Sequence, residues 1–298
     1  MPIRTLRLPF PLDLRRTLGP VRRGRHDPTF RLTENTCWRA TRTPEGPATL
    51  GFRQAGGTIE AEAWGPGADR ALDALPRLIG WEDRPADFAP TDVMVARLHR
   101  RFPGIRIGRT DAVVEALVPS ILEQKVTGLE ARRAHRRIVM RYGERAPGPP
   151  GLHLPPDPAT LADLPYTDLH VLGVERKRAE VIRGACRQAQ RLNDLDAVPA
   201  AEARERLTTV AGIGPWTAAE VTAVALGDAD AVSVGDYHLP SLVSWALAGE
   251  RKGTDARMLE LLAPFPGHRG SVIRLLVAAG LGPPRRGPRM APRNIARH

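Results

Sequence analysis

The run Leu207-Thr208-Thr209-Val210-Ala211-Gly212-Ile213-Gly214-Pro215-Trp216-Thr217-Ala218 holds residue types suited to gripping an anion. Gly212 and Gly214 allow a tight turn, and either can take a positive φ with no side chain to keep a ligand away. Pro215 suits the first position of a new helix, where its missing N–H has no helical partner to lose. Backbone N–H groups at such a helix start point outward and favour a phosphate. Ile213, between the glycines, is placed to pin the turn to a core. A bare Gly-x-Gly fits a plain connection between two helices equally well. Further along, Ala231-Val232-Ser233-Val234-Gly235-Asp236-Tyr237 is a short apolar run ending in a carboxylate. Asp236 precedes a helix expected to begin near Tyr237 or His238, where an aspartate alone reads as an N-cap.

The elements that must carry these residues differ between the two ends of the chain. Phe30 to Thr43 and Ala48 to Trp64 alternate apolar and polar residues, with Pro44-Glu45-Gly46-Pro47 and Gly56-Gly57 as turns. This is an antiparallel strand pattern. Helices are expected to flank it near Leu12–Leu18 and Ala68–Leu78. Arg84 to Pro90 reads as a linker. From Asp92 the apolar spacing becomes three and four, as on helices. Val113, Leu117, Ile121 and Leu122 share one face, as do Ala134 and Ile138. After a proline-rich loop at 147–158, helices are expected at 176–192, 201–207, 215–226, 239–247, 254–262 and 271–279.

The chain has 298 residues, enough for a sizeable core, and a formal net charge of +11. Such an excess of arginine points to a polyanionic partner, nucleic acid first. A compositional bias toward arginine would give the same number. No apolar run approaches the ~20 residues of a membrane span, and the N-terminus lacks the apolar stretch of a signal peptide. The expectation is therefore a cytoplasmic protein that touches no membrane and, with a nucleic-acid partner, is nucleoid-associated; nothing in the sequence points to an oligomer, so a monomer is expected. Cys37 and Cys186, far apart, are expected to be buried thiols. The histidines show no metal-ligand spacing.

Leu207 to Ala218 closely resembles the helix-hairpin-helix signature of base-excision DNA glycosylases, and Asp236 follows it in that family's order. Val118 to Val126 looks like the family's segment on the opposite side of the cleft, and Gly173 to Ala179 like its Gly-x-x-x-Lys-Arg-Ala helix start. The N-terminal strands are similar to the extra domain of the AlkA-type and 8-oxoguanine branches. The resemblance implies an α+β fold. A small antiparallel module with flanking helices (1–86) would precede an all-α glycosylase body of two helical subdomains with a cleft between them (87–282). A basic tail (283–298) would stay poorly ordered unless DNA holds it.

The same resemblance implies the chemistry and the roles. Breaking an N-glycosidic bond builds oxocarbenium character on the sugar, which a carboxylate stabilises while orienting water; Asp236 takes that role. Trp216 and Tyr237 would wall the base pocket and attract a cationic alkylpurine. Gln124, Lys125, Gly212, Ile213, Gly214 and Thr217 would meet double-stranded DNA, with Lys125 at the wedge position that fills the gap left by a flipped nucleotide. No cofactor is required; the family's monovalent cation would sit on the carbonyls of Thr208, Val210 and Ile213. Bifunctional members carry a lysine where Trp216 stands, so this chain is expected to lack lyase activity. Alignment places Glu220 and Val277, and Pro20 as well, where AlkA-type enzymes have further aromatics, so the pocket departs from the pattern. Two alternatives stay open: a non-catalytic protein that binds distorted or abasic DNA, and a glycosylase for uracil, hypoxanthine or oxidised bases.

Overall fold

The computed structural model describes residues 2–284. The expectation for the tail beyond them lies outside the described residues.

Five strands form one antiparallel sheet: β1 (Ile3–Arg7), β2 (Phe30–Leu32), β3 (Thr36–Thr43), β4 (Gly46–Ala55) and β5 (Thr58–Trp64), in the order β1-β5-β4-β3-β2. The Gly56-Gly57 turn between β4 and β5 has φ of +53° and +79°, the paired positive values that a two-residue hairpin needs. One sheet face is covered by α1 (Leu14–Leu18) and α2 (Ala68–Leu78). Leu14, Leu18, Leu72 and Leu75 bury there against Leu50, Phe52 and Ile59. β1 was not expected from sequence. It lies at the sheet edge, pairing Leu6 with Ile59, and Ile3 remains 69% exposed.

The helical body has two cores. One lobe contains α4 (Val113–Leu122), α5 (Gly128–Tyr142), α6 (Pro158–Asp163), α7 (Tyr166–His170), α8 (Arg176–Cys186), α9 (Ala189–Asn193), α10 (Ala200–Thr208) and α11 (Pro215–Ala225). The other joins α3 (Val93–Arg101) to α12 (Leu239–Ala248), α13 (Asp255–Leu262) and α14 (Arg269–Ala278). The chain thus starts the second lobe, builds the first, and returns along residues 227–238. Asp236 sits on that return.

Three expectations change. The stretch 84–90 is no bare linker, because Phe88 is buried in the second lobe and stacks on His268. The single helix expected at 176–192 breaks into α8 and α9 around Gln188. Gly214 does not use a positive φ (below). Both cysteines are buried free thiols, and burial pushes Cys186 up to about 12. Among the described residues no helix is long and apolar enough to cross a membrane.

Sheet and body are joined through Glu115 in the first turn of α4. Its carboxylate accepts from Arg39 Nη2 at 3.0 Å, from Thr41 Oγ1 at 2.8 Å and from the Arg42 backbone at 2.8 Å, all on β3. A cavity of about 410 Å³ lies beside this joint, lined in part by Arg39, Thr41, Glu115 and His135. It does not reach Asp236.

Candidate active site

The Gly-x-Gly turn joins α10 to α11. Gly212 has φ +83°, and a Cβ there would lie 2.2 Å from Cγ2 of Val181 on α8. Both the backbone and the packing therefore require glycine. Gly214 is different: it is extended (φ −95°, ψ 179°), caps α11, and has nothing within 4 Å of a Cβ position. Its bareness keeps the helix N-terminus open to a ligand. Ile213 is 3% exposed and belongs to the lobe core, so it anchors the turn as expected and does not itself face outward. The Val210 carbonyl accepts the Ile213 N–H at 3.0 Å and keeps a second lone pair. Together with the Thr208 and Ile213 carbonyls this is a neutral oxygen donor set, which fits a weakly held monovalent cation and not a transition metal.

Across from this turn, α4 ends in the loop Glu123-Gln124-Lys125. Lys125 is exposed at φ +54°, an uncommon backbone for a residue other than glycine. Gln124 is not free. Its Nε2 donates to the Gly212 carbonyl at 3.0 Å and to Thr217 Oγ1 at 2.9 Å, tying the α4 loop to the hairpin. Thr217 is 2% exposed, so its side chain serves this link and offers no surface. Sequence reasoning missed Arg178. It is 2% exposed on α8 and donates from Nη1 to the Leu122 carbonyl at 2.8 Å, holding the end of α4. The only hint was its place in the Gly173–Ala179 motif.

Asp236 meets the hairpin through Trp216. The indole Nε1–H donates to Asp236 Oδ2 at 3.1 Å, while Oδ1 accepts from the backbones of His238 and Leu239, each at 2.8 Å. The carboxyl thus caps the start of α12 and is aimed across the cleft at the same time. Oδ2 keeps a lone pair for a water or a substrate. Gly235, at φ +92°, makes the turn that presents it. Upstream, Asp228 is buried and accepts from Thr222 Oγ1 at 3.0 Å and from Arg204, which fixes the return segment to α11.

Tyr237 does not wall a pocket in this structure. It is 89% exposed and touches only the edge of His238 among the rings. Val277 is likewise 57% exposed. From α14, Arg274 reaches α11, where its Nη2 donates to the Ala223 carbonyl at 3.2 Å. Glu220, one turn beyond Trp216, accepts from Ser233 Oγ at 2.5 Å. Burial pushes its carboxyl upward, and the charges of Glu123 and Asp236 add to that, against the Ser233 hydrogen bond and Arg23.

A family model described as the HhH-GPD superfamily of base excision DNA repair proteins matches residues 118–266, half of the chain. The chain belongs to this superfamily. The matched segment contains the α4 loop, the hairpin, Trp216 and Asp236. A relative described as putative DNA-3-methyladenine glycosylase YfjP, from Bacillus subtilis, is 26% identical over 136 residues, 44% of this chain and 46% of that protein. The match therefore spans less than half of that relative. Among solved structures, a 3-methyladenine DNA-glycosylase from Archaeoglobus fulgidus shares the fold with a TM-score of 0.78 at 20% identity, covering 93% of this chain and 98% of that one. MBOgg1 in complex with a low-affinity DNA ligand gives 0.74 at 16% identity, over 93% and 95% of the two chains. An 8-oxoguanine glycosylase/lyase of Clostridium acetobutylicum, in complex with double-stranded DNA, gives 0.63 at 12% identity, over 84% and 97%. These likenesses establish the two-lobed body and the N-terminal sheet as one known fold.

Proposed function

We propose that the protein is a monofunctional DNA glycosylase of base excision repair, acting as a monomer on an alkylated purine flipped out of double-stranded DNA. The observation that carries this reading is the Trp216–Asp236 hydrogen bond. It joins a carboxylate to the first turn of the hairpin helix, and it puts an indole where a lyase would need an amine.

In this reading the open N-terminus of α11 receives a backbone phosphate, and Gly214 lets the backbone N–H groups approach it. A monovalent cation on the Thr208, Val210 and Ile213 carbonyls would add positive charge beside that phosphate. Lys125, exposed on its constrained loop, fills the space left in the duplex, its stem against the bases and its ammonium toward phosphate. The indole of Trp216 offers a face to the extruded base. As the glycosidic bond breaks, its electron pair leaves with the base, and positive charge grows on the sugar. Asp236 stabilises that charge and orients the water that adds to C1′. The chain's excess of arginine supports a DNA partner, as does its family.

The test is to incubate the protein with methylated duplex DNA, count released purines, and treat a parallel sample with borohydride. Released 3-methyladenine or 7-methylguanine with no trapped protein–DNA adduct is the expected result. Tight binding with no base released from any modified duplex would make it a binder of distorted DNA. A trapped adduct would overturn the monofunctional assignment.

A further inference from the structure

The helix that leaves the Lys125 loop carries charge of one sign on its outer face. Ala131, Ala134, His135, Ile138 and Val139 of α5 are buried and turn one side of the helix to the lobe. The opposite side is exposed and holds Arg132, Arg133, Arg136, Arg137 and Arg141. Glu130 is the one acid in α5, and its carboxylate accepts from the Thr127 backbone at 2.8 Å in a capping box. Among the described residues, Arg132, Arg133, Arg136 and Arg137 have no ion pair. Other helices of this chain treat arginine differently: Arg16, Arg183, Arg206 and Arg257 each meet an acid three or four residues away. On α5 the pairs Arg132 and Arg136, Arg133 and Arg137, and Arg137 and Arg141 instead set like charges four residues apart, which destabilises a helix. A general enrichment in arginine accounts for the arginines but not for the missing acids.

The placement of these side chains links them to the hairpin. Arg132 folds back over the helix start, where a Cβ on Gly128 would lie 3.0 Å from its Nη1, close after Lys125. Arg137 reaches the other way, and a Cβ on Gly173 would lie 3.9 Å from its Nη1, just before α8. α8 then runs to the hairpin, where Val181 packs on Gly212. Exposed Lys177 sits one turn before Val181 on the same helix face. The acids beside it are taken, Glu175 lying 3.4 Å from Arg178 and Glu180 3.0 Å from Arg183. Basic groups therefore continue from the hairpin, along the start of α8, to the outer face of α5.

We propose that the outer face of α5 is a second phosphate-binding surface, outside the cleft, which holds the backbone of the duplex beyond the lesion. The proposal rests on the reading above that the protein works on double-stranded DNA. At 1.5 Å per residue the stretch from Arg132 to Arg141 spans about 14 Å, and one DNA strand places about four phosphates along that length. A guanidinium offers two parallel N–H donors to a phosphate, so a row of them grips a backbone without reading its sequence. The same contacts relieve the repulsion along the helix. The surface adds affinity and leaves the chemistry at Asp236 unchanged.

The experiment compares wild type with the double variant Arg133→Gln/Arg136→Gln, which removes two outward charges. Fluorescence anisotropy on an abasic duplex of about 24 base pairs, from about 50 to about 200 mM salt, gives the affinity and its salt slope. Each lost phosphate contact should make the log–log slope shallower by about 0.9, so the variant should lose about 1.8 of slope and bind about tenfold more weakly at the low-salt end. The fourfold rise in salt should then cost it about twelvefold less affinity than it costs wild type. Arg133→Lys/Arg136→Lys keeps both charges and should restore most of the slope. Single-turnover release of 7-methylguanine at saturating protein should stay within about threefold of wild type, and Tm should hold or rise because like charges have been removed. An unchanged slope in the glutamine variant would overturn the proposal and assign the face to an acidic protein partner. A fall in release at saturation, or in Tm, would make these arginines part of the cleft or of the fold and would overturn it equally. The expected slopes with no base released from any lesion would sink the glycosylase reading and leave this surface standing. Absence of duplex binding in wild type would sink both.

Discussion

Asp236→Asn separates the two jobs that one side chain holds. Oδ1 caps α12 through two backbone N–H groups at 2.8 Å, and asparagine caps about as well as aspartate. Oδ2 accepts from Trp216 at 3.1 Å, and in the variant an amide N–H would face the indole N–H. Losing a hydrogen bond to a charged acceptor costs about 1.5–3 kcal/mol when buried, and the half-buried position favours the lower end, about 1–2 kcal/mol. At about 2–4 °C per kcal/mol for a protein of this size, Tm should fall by about 2–8 °C. With an ordinary stability of at least about 5 kcal/mol, the variant remains about 99% folded at 25 °C. Catalysis should suffer far more. Removing one preorganised stabiliser of transition-state charge costs about 10²–10³ in rate. The assay pairs a thermal melt with single-turnover release of 7-methylguanine, and with a Kd for abasic duplex, expected within a few-fold of wild type. Asp236→Ala should match the Asn variant in rate but melt lower, since it also loses the cap. A release rate within about threefold of wild type, in a variant that melts as described, would refute the catalytic role and leave Asp236 a cap alone.

The two hairpin glycines should respond in opposite ways. Gly212→Ala combines a φ of +83° with a contact 2.2 Å from Val181, so the melting temperature should drop by several degrees. Gly214→Ala meets nothing within 4 Å and should melt like wild type while binding DNA more weakly in a filter or anisotropy assay. Gln124→Ala removes both links between the α4 loop and the hairpin, about 1–2 kcal/mol together, and should raise the Kd for abasic duplex with a smaller effect on Tm. Binding should weaken steeply with salt, its log–log slope near −0.9 per phosphate neutralised, and a flat titration would exclude a backbone grip. Burial lowers the pKa of His135, 8% exposed, below its usual 6.5, so the unfolded chain binds the extra proton in acid. Stability should decline as pH falls below about 6.5, toward the lowered folded value, in thermal melts, and His135→Gln should weaken that dependence.

What the sequence revealed was local, and what it concealed was distant. The hairpin, its proline, Trp216 and Asp236 were legible because glycine positions and helix starts are written in adjacent residues. Which of the two glycines uses a positive φ was hidden, since they look alike until their φ values are known. β1 escaped notice because an edge strand of arginines, threonine and one inward leucine carries no burial signal. The roles of Gln124, Thr217 and Arg178 were hidden because each is defined by a partner on another helix. Tyr237 was assigned to the pocket wall by the family resemblance, and its 89% exposure could not be read from the residues beside it. Glu220 was noticed as a missing aromatic, and the burial and neighbouring charges that push its carboxyl upward involve Glu123 and Asp236, which lie far from it in sequence.

The Gln124 bridge has a consequence for how such a protein searches. A protruding loop and a phosphate cradle held by separate elements would have to find their spacing anew at every encounter. Here both are fastened to each other through one amide, and Arg178 steadies the loop from behind. In the proposed reading, the distance between a held phosphate and the probed base step would therefore be preset. Stiff, well-stacked duplex would fail that gauge, whereas a step weakened by damage would yield to it. The selectivity of the first encounter would then come from the mechanics of the DNA, before any base enters the cleft.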